Sequence, residues 1–242
     1  MAAYGVTVPN HLAPFAPATD LDLIRIPNTD RSVASEPFAA PRRIAFDAVV
    51  SADSFALLRT ALDNIAAHLD IRDLADLALD SWPDRYWRVW RQTSSDAIIN
   101  GCNARVPLEF IAPEAAAYST TASTATATFP VAKHLPVTSA GTARAWPEII
   151  FTAAGAASNV IIEHSDLDVC MAWTGVIAEG NRLRFDTREW RVYWTEGVDD
   201  DWVLSMAGFD GEFPHLFPGV NNLRLLTPAA GVLTVNWRNR YL

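Results

Sequence analysis

The chain has 242 residues, half of them hydrophobic, two cysteines and a formal net charge of −9. This composition supports a packed core, in one large domain or two small ones, and excludes wholesale disorder. The balance of 19 basic against 28 acidic side chains argues against a grip on nucleic-acid phosphates, which needs clustered positive charge.

Residues 1–42 are rich in proline, at positions 9, 14, 17, 27, 37 and 41. Leu21, Leu23 and Ile26 predict one short strand, and the rest reads as extended arm or loop. Such an arm is either a loosely attached tail or a strap over a neighbouring subunit. Arg43 to Val50 predicts a strand with Ile44, Phe46 and Ala48 on one face. Ser51 or Asp53 is placed to cap the helix that follows. In that helix Phe55, Leu58, Leu62, Ile65 and Leu69 recur at steps of three and four and form one stripe, suited to packing on a sheet.

Asp76 to Asp80 reads as a short strand, and Trp82 to Trp90 as a turn at Pro83 leading into an aromatic-rich strand. Asn100-Gly101 marks a turn. Ala104 to Ile111 returns as a strand with Val106, Leu108 and Phe110 on one face. Pro107 removes a ladder donor, which places this strand at an edge or a bulge. Together these elements form a small α+β unit ending near Tyr118. Trp82, Tyr86, Trp87 and Trp90 are candidates for a buried contact, inside the domain or between subunits.

Residues 119–128 are low in complexity, yet Thr124, Thr126 and Thr128 alternate with alanine and predict a strand opening a second unit. Lys133 to Ser139 reads as a loop. Short strands follow at Glu148 to Thr152, Asn159 to Glu163 and Val169 to Gly175. Glu179 to Trp194 predicts a hairpin with a four-residue type I loop, Leu183, Phe185, Trp190, Val192 and Trp194 facing a core and Arg and Tyr facing out. Residues 195–217 read as a long acidic loop carrying Trp202, Phe209, Phe213 and Phe217. Asn222 to Leu226 and Val232 to Trp237 are the last strands. Many short strands with turns between them indicate a β-sandwich.

Reactive chemistry is sparse. Cys102 and Cys170 are isolated, and the histidines at 11, 68, 134, 164 and 215 are scattered, so neither a metal nor a cofactor is expected. Asp199-Asp200-Asp201, with Glu196 and Asp210 nearby, lacks the spaced oxygen ligands of an EF-hand loop. His164 beside Asp166, and His215, have no nucleophile at a recognisable spacing, and Ser205 lacks a GxSxG context; no catalytic residue is assigned. Trp202, Phe209 and Phe213 could stack on a sugar ring, seal the end of the sandwich or contact a neighbour. No run of about 18 apolar residues spans a membrane, and Met1-Ala-Ala-Tyr lacks the basic start and apolar run of a secretory signal.

The order of these elements carries a resemblance. The capped helix 54–69, then Pro83-Asp84-Arg85-Tyr86-Trp87, then the strand running to Pro113 and Tyr118 resemble the N-terminal domain of the phage distal tail protein family. Gly141-Thr142 before Trp146-Pro147-Glu148-Ile149-Ile150, then Gly155, resembles that family's opening of its second domain. The run from Ala178 to Thr187 is similar to its hairpin, and Pro218 to Arg224 and Val235 to Leu242 to its last two strands. The resemblance covers about residues 43–242. Ala112-Pro113 stands where the family often has Asp-Pro, and the 195–217 loop has no counterpart.

The resemblance implies a mainly β fold: an α+β N-terminal domain (residues 1–118) with its arm and one long amphipathic helix on a small β-barrel or sheet, and a C-terminal antiparallel β-sandwich (119–242) of galectin-like or carbohydrate-module-like type. It implies a structural, non-enzymatic two-domain tail-tip component of a long-tailed phage or phage-like particle, assembled in the host cytoplasm. Copies of the chain would form a hexameric ring at the distal end of the tail, joining the tail tube protein to the hub of the tip or baseplate. DNA would pass through the lumen without specific binding, past acidic side chains that do not hold it. The alternative is a carbohydrate-binding module that mediates adsorption to a cell-surface glycan.

Overall fold

The computed structural model describes residues 40–70, 73–94, 96–130, 132, 134–195, 201–226 and 230–242, together with six short strand segments before residue 40. The described residues are mainly strand and include one α-helix. The chain divides into two compact units, residues 1–117 with Leu242, and residues 118–241.

The first unit contains β1 (Arg42–Ser51), α1 (Phe55–His68), β2 (Ala75–Leu79), β3 (Trp82–Ser94), β4 (Ile98–Asn100) and β5 (Asn103–Ala112). β5 is central, antiparallel to β1 on one side and to β3 and β4 on the other, and β2 extends the sheet beyond β3. Alternation turns Ile44, Phe46, Ala48 and Val50 of β1, with Val106, Leu108 and Phe110 of β5, to one buried face. Leu58, Ile65 and Leu69 of the helix share that core.

Two details of the helix differ from the expectation. Its cap is Ser54, whose hydroxyl accepts from the Leu57 amide at 3.3 Å, in place of Ser51 or Asp53. Phe55, expected in the buried stripe, is 56% exposed because it begins the first turn. Pro107 lies in an interior strand, not an edge. It pairs with Asp47 of β1, and on its other flank falls between Arg105, the last partner of β4, and Leu108, where pairing with β3 begins. Among the described residues none is paired with it on that flank. A bulge follows at Glu109/Phe110.

Before β1, Val6–Thr7 and His11–Leu12 pair with the free flank of β1, Val6 opposite Val50 and Leu12 opposite Ala45. Leu23–Arg25, within the strand expected around 21–26, pairs with Ser32–Ala34, and Thr19–Asp20 with Phe38–Ala39.

The second unit contains β6 (Ser123–Phe129), β7 (Leu135–Ser139), β8 (Glu148–Ala153), β9 (Ala157–His164), β10 (Val169–Ile177), β11 (Arg182–Asp186), β12 (Arg191–Thr195), β13 (Val203–Leu204), β14 (Phe209–Gly211), β15 (Gly219–Leu225) and β16 (Gly231–Trp237). One sheet runs β6-β16-β8-β11-β12-β13 and the other β7-β15-β9-β10-β14. Their inner faces share one core: Ile149, Phe151, Leu183, Phe185 and Leu233 from the first, Val160, Ile162, Met171 and Leu223 from the second. Burying each such side chain contributes about 1.5–3 kcal/mol. Gly231 admits the Phe151 ring, since a Cβ there would lie 2.3 Å from it.

Residues 135–139, expected as part of a loop, form β7, with Leu135 and Val137 buried by the same alternation. The 195–217 segment is likewise no open loop. It places β13 on the edge of one sheet and β14 on the edge of the other, and Leu216 then bridges to Ala145. Glu196, Asp199 and Asp200 lie outside the described residues; Asp201 is exposed. The β11–β12 hairpin forms with residues 187–190 as its turn. Asp186 Oδ1 accepts from the Arg188 and Glu189 amides, and the buried Thr187 hydroxyl donates to the Pro147 carbonyl at 2.7 Å. Trp190, expected to face the core, sits in this turn at φ 55° and is 66% exposed.

Candidate assembly surfaces

The four aromatic candidates of the first unit do not form one cluster. Along β3, Trp87 and Val89 point into the core, while the side chains between and beyond them, Tyr86, Arg88 and Trp90, take the other face. Trp87 is 1% exposed and Trp90 50%. Trp82 packs on Trp87 with ring centroids 5.5 Å apart. Trp87 is therefore an ordinary core residue and Trp90 a surface one. Arg91 ties this strand to the helix by donating to the Leu69 carbonyl at 3.0 Å, where the helix dipole favours a cation.

The opposite face of the same sheet carries ion pairs between neighbouring strands, Arg43 with Glu109 at 3.5 Å and Arg105 with Asp47. Phe55, Leu57, Ile98 and Ile99 are also exposed on the first unit. Sequence reasoning missed Leu57 and the two isoleucines. Their signal was weak: Leu57 lies off the helical stripe, and the isoleucines are adjacent, so period two cannot bury both.

The aromatic candidates of the second unit are engaged within it. The Arg182 and Arg184 guanidiniums lie 4.9 and 5.0 Å from the Trp202 ring, and Arg184 also lies 4.5 Å from the Tyr193 ring. A polar chain continues across the sheet: Arg184 faces Glu148 at 3.5 Å, Asn236 donates to Glu148 at 3.1 Å, and Thr124 donates to Asn236 at 2.9 Å. Phe209 and Phe213 stack on each other with centroids 4.3 Å apart and pack against the core. Phe209 and Phe213 thus contribute to packing of the sandwich, and Trp202 lies beside two guanidiniums.

His164 and His215 are packed within the second unit as well. His164 is fully buried, with Nε2 3.1 Å from Asn221 Oδ1. The same oxygen accepts from the Phe217 amide, while Asn221 Nδ2 donates to the Phe217 and Gly219 carbonyls. Asn221 thus holds the turn into β15. The Asp166 carboxylate accepts from the Asn222 amide at 2.6 Å, which keeps its pKa below the usual range. His215 packs on the edge of Trp146 at 5.6 Å, and burial, reinforced by Arg144, pushes its pKa down. Among the described residues no group of three His, Cys, Asp or Glu is placed to hold a metal ion.

Residues 140–241 match the family model of the siphovirus-type tail component, C-terminal domain. No curated protein matches. Among solved structures, the chain is similar to the Dit protein (gp 19.1) of phage SPP1, described as a paradigm of the hub adsorption apparatus in phages infecting Gram-positive hosts. That likeness has a TM-score of 0.79 at 15% identity and covers 100% of this chain and 95% of the other. The phage P2 baseplate in its activated conformation contains a similar chain, with TM-scores of 0.54 with calcium and 0.55 with strontium. Identity there is 6%, over 96% of this chain and 90% of the other. Residues 140–241 thus resemble a siphovirus-type tail component C-terminal domain, and the chain shares the fold of the phage SPP1 Dit protein.

Proposed function

We propose that this protein is a structural component of the distal end of a siphophage-type tail, forming a ring, most simply a hexamer, that joins the tail tube to the tip or baseplate hub. The observation that carries the reading is the conjunction of a family match over residues 140–241 with a shared fold over the full chain. The first unit builds the ring, and the second is a β-sandwich. The exposed apolar side chains of the first unit, Phe55, Leu57, Trp90 and Ile98, supply surface that neighbouring copies would cover. The arm segments on the flank of β1 would run beside a neighbour in the closed assembly. Chains of −9 give the ring an acidic lumen past which DNA slides without adsorbing. No enzymatic role is assigned.

Native mass measurement of the purified full chain tests the reading. A species of six chain masses, or co-assembly with a tail tube protein, supports it; a monomer that stays apart from tube protein removes it. For the carbohydrate reading, the rings it relied on are occupied by guanidiniums or by each other, and a glycan array on the full chain with no bound sugar is the expected outcome.

A further inference from the structure

The sandwich has four sheet edges, and three are blunted. β7 carries Pro136. β13 is two residues long, and beside it the Met206 sulfur, not a backbone carbonyl, takes the Val192 amide at 3.2 Å. β14 is three residues long and ends at Gly211 with φ 103°. Proline, shortness and irregular backbone are the devices by which proteins keep edges from pairing with other chains.

The fourth edge, β6, has none of them along its length; only at its end is an outward carbonyl taken, that of Thr128, by the Ala132 amide at 2.9 Å. Its seven residues pair one for one with β16, from Ser123 opposite Trp237 to Phe129 opposite Gly231, with no bulge. It contains no charge and no proline, and among the described residues no strand lies on its other side. Thr124, Thr126 and Thr128 are exposed on the outer face; Ala125 and Ala127 are half-buried on the inner one. The segment Thr124-Ala125-Thr126-Ala127-Thr128 reads the same in both directions about Thr126.

We propose that β6 pairs with β6 of a second copy, antiparallel about a two-fold axis through Thr126, so that two six-stranded sheets become one. In this register Thr124 stands opposite Thr128 and Ala125 opposite Ala127. The threonines meet threonines, as Thr126 already meets Thr234 at 3.4 Å, and such cross-strand pairs stabilise a ladder. The alanines add no bulk at the junction. An uncharged edge lets two acidic chains approach without facing like charges. The contact is self-complementary, so it cannot repeat around a ring of head-to-tail contacts; it joins two chains, or two rings, and does not depend on the ring reading. The strand spans only about 24 Å, so pairing is favoured at high concentration or where copies are already held together.

The test uses the full chain with C102S and C170S as background. T126C is expected to form a disulfide-linked pair under mild oxidation, because the axis sets its two Cα atoms within the range of about 4.4–6.8 Å that a disulfide spans. T124C and T128C singly should give about tenfold less product, and the T124C/T128C double variant should restore it. In the natural sequence, T126K should weaken pairing in sedimentation by about tenfold, since it sets two lysines face to face, with an unchanged circular dichroism spectrum showing that it folds. Absence of a linked pair from T126C, or equal linkage at all three positions, overturns the proposal. A sixfold mass that survives T126K leaves the ring reading intact whichever way the pairing falls.

Discussion

In the second unit two sheets each give one face to a single core, whereas in the first one face of a sheet is covered by α1 and the other carries ion pairs and partly exposed side chains. The second unit exposes apolar residues at edges and turns, as with Val203, Leu204 and Trp190, and near the ends of interior strands, as with Val176 and Val220. The first leaves Phe55, Leu57, Trp90 and Ile98 exposed across its helix and strands. The difference separates two roles for hydrophobic side chains. In the sandwich most of them fill a core between two sheets; in the first unit several stand exposed on the helix and the strands.

Substitutions can break that division or sharpen it. The largest effect on stability is expected from F151A, which empties the centre of the sandwich core and should cost about 3–5 kcal/mol, read as a lowered urea midpoint. Next is N221A. It strips partners from buried His164 and from the Phe217 amide and should cost about 2 kcal/mol, seen by thermal unfolding of the second unit. S54A removes the helix cap in the first unit and should cost about 1 kcal/mol, detectable in the same melt.

A smaller effect follows from His215. Its folded pKa lies below the usual value, so at neutral pH both folded and unfolded forms are uncharged and its contribution is complete. As pH falls below about 6.5, the unfolded chain takes the proton first and stability declines. The H215F variant should flatten that slope in melts between pH 7 and 5. The smallest effect on stability, within about 0.5 kcal/mol, is expected from W90A. On the ring it should act strongly, reducing the high-mass species while leaving the melt in place. W87A should do the reverse, lowering the melting temperature by removing a core ring.

Much of this architecture was legible in the chain because period-two and helical spacing are local properties. The stripe Leu58, Ile65, Leu69 and the strands around Phe46, Phe110, Phe151 and Leu233 could be read directly. The STATAT segment was legible as a strand despite its low complexity, because threonine alternates with alanine. What escaped depended on partners distant in sequence. Residues 135–139 become a strand only by pairing with Gly219–Leu225, and 203–204 and 209–211 by meeting edges at Tyr193 and Trp173. Trp190 fits the hairpin alternation but falls in the turn, because Thr187 is anchored to Pro147, 40 residues earlier. Composition could not tell Trp87 in the core from Trp90 on the surface.

The central claim is that identical copies of this chain close into a ring through the first unit. Native mass spectrometry of the full-length protein, alongside W90A, tests it most directly. The account predicts a sixfold species that W90A depletes without unfolding the monomer. A natural chain that remains monomeric at every concentration and in the presence of tail tube protein would contradict it.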